Sequence, residues 1–455
     1  MMRSMFSGVS GLRVHQTKMD VIGNNIANVN TVGFKSGRVT FQEVFSQTLR
    51  GAGAPDIALG RGGTNPMQVG LGLGLASIDT IMTRGNPQRT DNPTDLSIEG
   101  DGFFIVRKSN TDTYYFTRAG NFSIDEYGFL NLNGMIVQGW LDYNVETGEF
   151  YTERDLVPIN IFEGGPIQNK RIIPPKVTEN AVFSGNLNSD ALSIEEYNAT
   201  NDPSEPDLSI SDLDSAKAAM EKLNEVRPGS TCRVPFTVYD RLGNAHEIYL
   251  NFIKQRADAS GSEWIVFAEP DGQTTFTTQT VLFDANGKLI NSTLTSLIIT
   301  PPASLGTGDF EVKINLSGLT CFSANNSVNP SSIDGYPTGK FVNLSIGSDG
   351  VITGIYSNGQ MQPLGLIALA SFSNPAGLQK AGDTLYLVTP NSGDFVKQKP
   401  GDSAGVLNPG TLEMSNVDLA KEFTEMIITQ RGFQANSRII TTSDEMLQEL
   451  VALKR

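Results

Sequence analysis

Apolar residues recur every seven positions at both ends of the chain. Near the N-terminus Met5, Leu12, Met19 and Ile26 keep that interval, and Val9 and Ile22 widen the stripe. Near the C-terminus Leu412, Leu419, Met426, Phe433, Ile440 and Leu447 keep it, joined by Phe423. A seven-residue apolar repeat holds one seam of a helix against a partner helix. The pattern predicts one helix from about Ser4 to Ile26 or Val29 and a second from about Ser415 to Leu453. The second spans roughly 39 residues, about 60 Å at about 1.5 Å each. Ser415 with Asp418 three residues on supplies its start signal, and Gly432 interrupts it at a cost of about 1 kcal/mol against alanine. The first helix gives way to Asn24, Asn25, Asn28 and Asn30, whose amides compete for backbone groups and favour turns.

Between the ends the period changes to two. Leu71, Leu73 and Leu75 alternate with glycines, and strands are expected at 102–106, 114–117, 122–124 and 135–140, with Asn133-Gly134 as a hairpin turn. A second β region begins near Val182. There Val234, Phe236 and Val238 alternate with polar residues, as do His246, Ile248, Leu250 and Phe252. Trp264 and Phe267 continue it, with turns at Asp271-Gly272 and Asn286-Gly287. A short helix is expected over 212–226, capped by Ser211 and Asp214. After about Ser331 the character of the first β region returns. The stretch from Gly51 to Gly70 is Gly, Ala, Pro and polar, which reads as an extended arm.

The expected fold is therefore α+β and multidomain. Paired terminal α-helices form a coiled-coil-like layer, and two mainly antiparallel β domains follow, the second inserted in the first. The expected boundaries are 1–30 and 412–455 for the helical domain and 31–70 and 400–411 for an extended connector. The first β domain takes 71–180 and 331–399, and the inserted outer one 181–330. A chain of 455 residues is too long for one core, in keeping with that division.

Composition narrows the function. The formal net charge is -15, which disfavours nucleic acid and anionic membrane as partners. No apolar run approaches the roughly 18 residues a membrane-spanning helix needs, and the N-terminal residues lack the apolar core of a cleaved signal peptide. Two cysteines, Cys232 and Cys321, give no disulfide framework, and two histidines, His15 and His246, leave acid–base and metal chemistry poorly supplied. No catalytic, cofactor or metal site is expected, and no enzyme. Gly70-Leu71-Gly72-Leu73-Gly74 has no helix after it and reads as strand and turn. Helical ends around a β body, without a catalytic constellation, suggest a part of an assembly.

Segments at both ends and in the first β region extend this reading. Ser10-Gly11-Leu12, the run Met19 to Asn28 with Gly23, Asn24, Asn25 and Asn28, and Thr31-Val32-Gly33-Phe34-Lys35 resemble the N-terminal signature of the flagellar rod and hook (axial) protein family. Glu413 to Leu419, with Asn416, Val417 and Asp418, and Gln430 to Asn436 resemble its C-terminal signature. Asp101-Gly102-Phe103-Phe104 and Thr117 to Phe122 look like the family's shared β domain. The length and the second β region resemble the hook members. That implies a subunit of a curved, flexible, hollow tube that transmits torque from rod to filament as a universal joint; a distal rod subunit is the alternative. The implied partners are further copies of the chain, the rod, the hook cap and hook–filament junction proteins, and the flagellar type III export apparatus. The implied location is the flagellum outside the cytoplasm. The resemblance also raises an inter-subunit lysine cross-link at Cys232, against the plainer reading of a small buried apolar residue. The acidic, polar stretch from Asn201 to Asp214 suits either a wet sliding surface between subunits or an ordinary solvated loop.

Overall fold

The computed structural model describes residues 2–55, 60, 62–109, 111–163, 169–200, 207–270 and 278–453. The chain divides into two compact units, one made of residues 1–170, 343–355 and 361–455, the other of 171–342 and 356–360.

The first unit carries both ends of the chain. The N-terminal helix, Met2–Ala27, ends inside the asparagine run, and the C-terminal helix is Leu419–Ala452. The latter's 34 residues make a rod of about 51 Å. Its start differs from the sequence expectation. Asp418, not Ser415, is the N-cap, its carboxylate accepting from the amides of Ala420 and Lys421. Ser415 instead turns its hydroxyl to the amide of Val417. A carboxylate at the cap also meets the positive end of the helix dipole, which an uncharged hydroxyl does not. Leu412, assigned to the heptads, lies before the helix in the strand Thr411–Glu413.

Among the described residues the expected extended arm, Gly51 to Gly70, is strand only at Met67–Gly70, and the segment before it is strand as well. Gly37–Glu43 runs antiparallel to Leu73–Thr80, and beyond it Ser46–Arg50 pairs with Met67–Gly70. The alternating leucines at 71–75 therefore open a strand of this ribbon and not of the β domain. The connector at 400–411 is likewise paired: Val406–Pro409 with Leu96–Glu99, and Thr411–Glu413 with Pro87–Arg89. Glycine-rich composition hid these strands, because their pairing is fixed by backbone bonds to distant segments and not by an apolar pattern of their own. The β domain proper is a mainly antiparallel sheet in the order 361–367, 135–140, 103–107, 114–117, 385–387, 379–382. Phe103, Ile105, Phe116, Trp140, Leu366 and Tyr386 fill its core.

The second unit contains a five-stranded antiparallel meander, 231–239, 245–258, 261–270, 278–284 and 289–292. A four-stranded sheet lies with it, in the order 296–299, 310–322, 180–188, 329–333. The alternation at 234–252 sets the register: Val234 faces Leu250 and Phe236 faces Ile248. Those residues share one core with Trp264, Phe183 and Val312. Phe267 belongs to the other face, where Ile253, Ile265 and the helices Ile194–Thr200 and Leu213–Val226 form a second cluster. The longer helix is capped by Asp212 and Ser215, not by Ser211 and Asp214: Ser215 stands three residues after Asp212, so each side chain reaches the other's amide. Asn286-Gly287 forms a turn with Gly287 at φ +73°, whereas Asp271-Gly272 and residues 201–206 of the polar stretch lie outside the described residues.

Candidate assembly site

The two terminal helices pack antiparallel along a narrow seam. Ser4 Oγ lies 3.4 Å from Ser443 Oγ. A Cβ on Gly8 would stand 3.2 Å from Ile440 Cγ1, and one on Gly11 would stand 2.8 Å from the Asn436 amide. His15 rests on Gly432, where a Cβ would come within 2.7 Å of the ring. Lys18 closes the series with an ion pair to Glu425. Positions 4, 8, 11, 15 and 18 alternate steps of four and three, so they share one helix face. Small residues there let the helices approach closely.

The seam therefore leaves the heptad side chains to either side. Met5, Leu12, Met19 and Ile26 are half-buried flanks, Ile22 is buried, and Val9 is exposed. On the other helix Met426, Ile440 and Leu447 are half-buried, while Leu419, Phe423 and Phe433 are exposed. Ile427 and Ile428 are each 58% exposed and Val451 70%. The two-stranded ribbon adds Phe45 at 71% and Leu49 at 56%. Large apolar side chains left exposed in this number on a folded subunit mark a candidate contact surface.

The ribbon and helices are joined at Ser10, whose Oγ accepts from Leu73 N, and at Asn25. The buried Asn25 amide imitates a strand: its Nδ2 donates to Gly37 O and its Oδ1 accepts from Gly37 N, both at 2.9 Å. Asn28 donates to Asn24 O and Oδ1 and accepts from Thr31 Oγ1, closing the helix end. Gly23 is exposed, and no neighbouring atom stands where its Cβ would be.

At the base of the helices the two signatures meet in a buried charged knot. Lys35 Nζ donates to Glu413 Oε1 at 2.6 Å and to Thr83 O at 2.8 Å. Glu413 also accepts from Gly85 N at 3.0 Å and, through Oε2, from Arg118 at 3.4 Å. Lys35 and Glu413 are each 1% exposed. Burial pulls Lys35 and Arg118 below their ordinary values, and the Glu413 carboxylate opposes that pull without overcoming it. Gly33 N donates to Glu413 O, Ser36 N to Asn416 Oδ1, and Asn416 Nδ2 to Ile81 O and Thr83 O. Gly33 sits at φ +69° with Ala119 N against its open side, which requires glycine. Lys380 lies over the Phe34 ring at 5.0 Å. The knot fastens the exit of one helix to the entry of the other and both to the β domain, so a force on the helices reaches the sheet through buried charge. Glu413 and Arg118 lie inside the signature segments, but nothing in the sequence assigns them this pairing; a lone charge inside an otherwise uncharged stretch is the available signal.

Cys232 stands apart from this site. Its side chain points into the core of the second unit, and burial pushes the thiol up to about 11. His246 contacts Asp240, at 3.3 Å. Among the described residues no group of three or more His, Cys, Asp or Glu could hold a metal ion, and no helix is long and apolar enough to cross a membrane.

Comparison with known proteins covers the same regions. Family models match residues 5–35 (flagella basal body rod protein), 97–181 (flagellar hook protein FlgE/F/G D1 domain), 213–336 (flagellar basal body protein FlaE D2 domain) and 408–453 (flagellar basal body rod FlgEFG protein C-terminal). The chain is 40% identical over 478 residues to the flagellar hook protein FlgE of Borreliella burgdorferi, and 38% over 500 residues to that of Treponema pallidum. Both alignments cover all of each chain. The flagellar basal-body rod protein FlgG of Bacillus subtilis is 30% identical over 457 residues, again covering all of both.

Proposed function

The chain belongs to the flagellar hook protein family, and from that premise we propose how its ends build the hook. The protein is a structural subunit of the flagellar hook, part of the flagellum outside the cell. In this reading the terminal helices of many copies form one coiled-coil-like inner layer around a hollow channel. The observation that carries it is the surplus of exposed apolar side chains on a helix pair whose own seam is small and polar. Burying each additional Å² of that surface contributes about 25 cal/mol, so polymerisation gains what the lone subunit leaves in water. Contacts of this head-to-tail kind do not close, and a tube results.

The β domains then serve bending. In this reading the unit of 171–342 and 356–360 is an insertion within the first β domain, and polar outer surfaces slide as a curved tube turns while the inner layer stays locked. Rod, hook cap and hook–filament junction proteins adjoin the tube, and subunits reach it through the flagellar type III export apparatus. A straight, stiff rod subunit is the weaker reading, given the lower identity to the rod protein. In the free subunit Cys232 packs the core, so a cross-link to a lysine requires the strand Thr231–Tyr239 to release its thiol on assembly.

The test is self-assembly of purified subunit under salting-out conditions, followed by electron microscopy. Wild type forms curved hollow tubes, and the double substitution F423S/I427S abolishes them while leaving urea unfolding of the monomer unchanged. Tubes of normal yield from the double variant would overturn the reading.

A further inference from the structure

One cleft on the second unit ends on an acceptor that the fold leaves unused. It opens between the helix Leu213–Val226 and the strands Thr231–Tyr239 and Ala245–Asp258, with a volume of about 650 Å³. Asn251, 1% exposed, lies at its floor, paired across the sheet with Arg233 and Phe267. Its amide is oriented by its own strand. Nδ2 donates to Tyr249 O at 3.4 Å, so Oδ1 is the atom left over, and it has no hydrogen-bond partner. A buried acceptor without a donor costs stability, and packing alone would favour an aliphatic side chain there. The cleft's own cations are spent elsewhere. Lys217, at 2.5 Å, and Arg233, at 3.2 Å, both pair with Glu269, and the Arg233 guanidinium lies over the Tyr249 ring at 4.0 Å. Glu221 and Glu225, one helical turn apart on the rim, are exposed and in no ion pair among the described residues. The site lacks a cationic donor.

The same unit carries such a donor at the other end of the sheet. Arg241, on the hairpin tip between Thr231–Tyr239 and Ala245–Asp258, is exposed and in no ion pair among the described residues, and Leu242 beside it is 60% exposed. The buried Asp240 carboxylate shapes this tip by accepting from the amides of Leu242 and Asn244, both at 2.9 Å. From Arg233 in the cleft to the tip is about 25 Å of strand, so no copy can fill its own cleft. We propose that the cleft receives the hairpin tip of a second copy. The Arg241 guanidinium donates to Asn251 Oδ1 and to a rim carboxylate at once, and Leu242 rests on the half-buried Met220. A planar fork of donors suits two separate acceptors; the exposed lysines Lys288, Lys313 and Lys340 offer only a point charge. Tip and cleft lie at opposite ends of one sheet, so the contact is head-to-tail and does not close. It rests on the proposed polymer and adds the contact that joins one second unit to the next.

Two measurements test it. The first titrates the free full-length chain with N-acetyl-arginine amide and follows the Asn251 side-chain amide by NMR, its signals assigned by their loss in N251L. The expected result is a saturable shift that N-acetyl-glutamine amide does not produce and that E221Q/E225Q weakens. No shift, or the same shift with both probes, would overturn the cleft as a cation site. The second measures the critical concentration for tube assembly at fixed salt. R241E and E221R/E225R should each raise it about tenfold, and the two together should return it toward the wild-type value. All three positions are exposed, and Trp264 emission confirms that the unit stays folded. A wild-type critical concentration in R241E, or a combined variant no better than its parents, would overturn the second copy as occupant while leaving the polymer intact. Wild type that forms no tubes would instead sink the polymer, and this occupant with it, with the probe titration still deciding the cleft.

Discussion

Replacing Glu413 with alanine should cost far more than any surface ion pair would suggest. Two cations, Lys35 and Arg118, converge on that carboxylate in a site where Lys35 and Glu413 are each 1% exposed. Removing the anion leaves both uncompensated in low dielectric, and breaking a buried pair this way costs about 3–5 kcal/mol. It also orphans the amide of Gly85. With a urea slope of about 2–3 kcal/mol per molar, the midpoint should drop by about 1–2.5 M. The two tryptophans make the assay specific: Trp140 is buried in the core that contains Phe103, and Trp264 in the core of the second unit. In a W264F background, Trp140 emission reports the unit that carries the knot. The reasoning predicts a second result of opposite sense. Because burial of Lys35 and Arg118 outweighs their attraction to Glu413, the knot holds geometry more than it adds stability. The triple variant K35M/R118M/E413L should therefore recover most of the loss, short of about 1–3 kcal/mol for the stranded Gly85 amide. A loss below about 1 kcal/mol in E413A, or a triple variant no better than the single, would refute this account.

Two further outcomes follow from the same geometry. G33A forces a side chain into φ +69° with its Cβ 2.6 Å from Ala119 N, and should destabilise the unit that Trp140 reports by about 1–3 kcal/mol; an unchanged urea midpoint would show that the backbone relaxes freely. The Cys232 thiol, pushed up to about 11, should resist iodoacetamide at about pH 8.5 in the folded chain and react promptly in urea, and equal rates would contradict its burial. The raised value favours the neutral thiol, so its contribution to stability is full below the ordinary thiol value and is lost as pH rises through about 11.

What could be read from the chain was what neighbouring residues settle among themselves. Seven-residue apolar spacing set the two terminal helices, period-two alternation set the strands at 231–239 and 245–258 together with their register, and Asn133-Gly134 set a turn with Asn133 at φ +49° and Gly134 at φ +83°. The signature segments set the family. What the folded chain decided was partnership across long separations. Lys18 meets Glu425 over 407 positions and Lys35 meets Glu413 over 378. No local period records such a meeting, so the small-residue seam, the buried knot and the paired ribbon at 37–80 stayed hidden behind heptads and glycines. Periodicity says which side of a helix is apolar; only close approach of backbones says which side is small enough to be shared within one molecule, leaving the apolar flanks for the next.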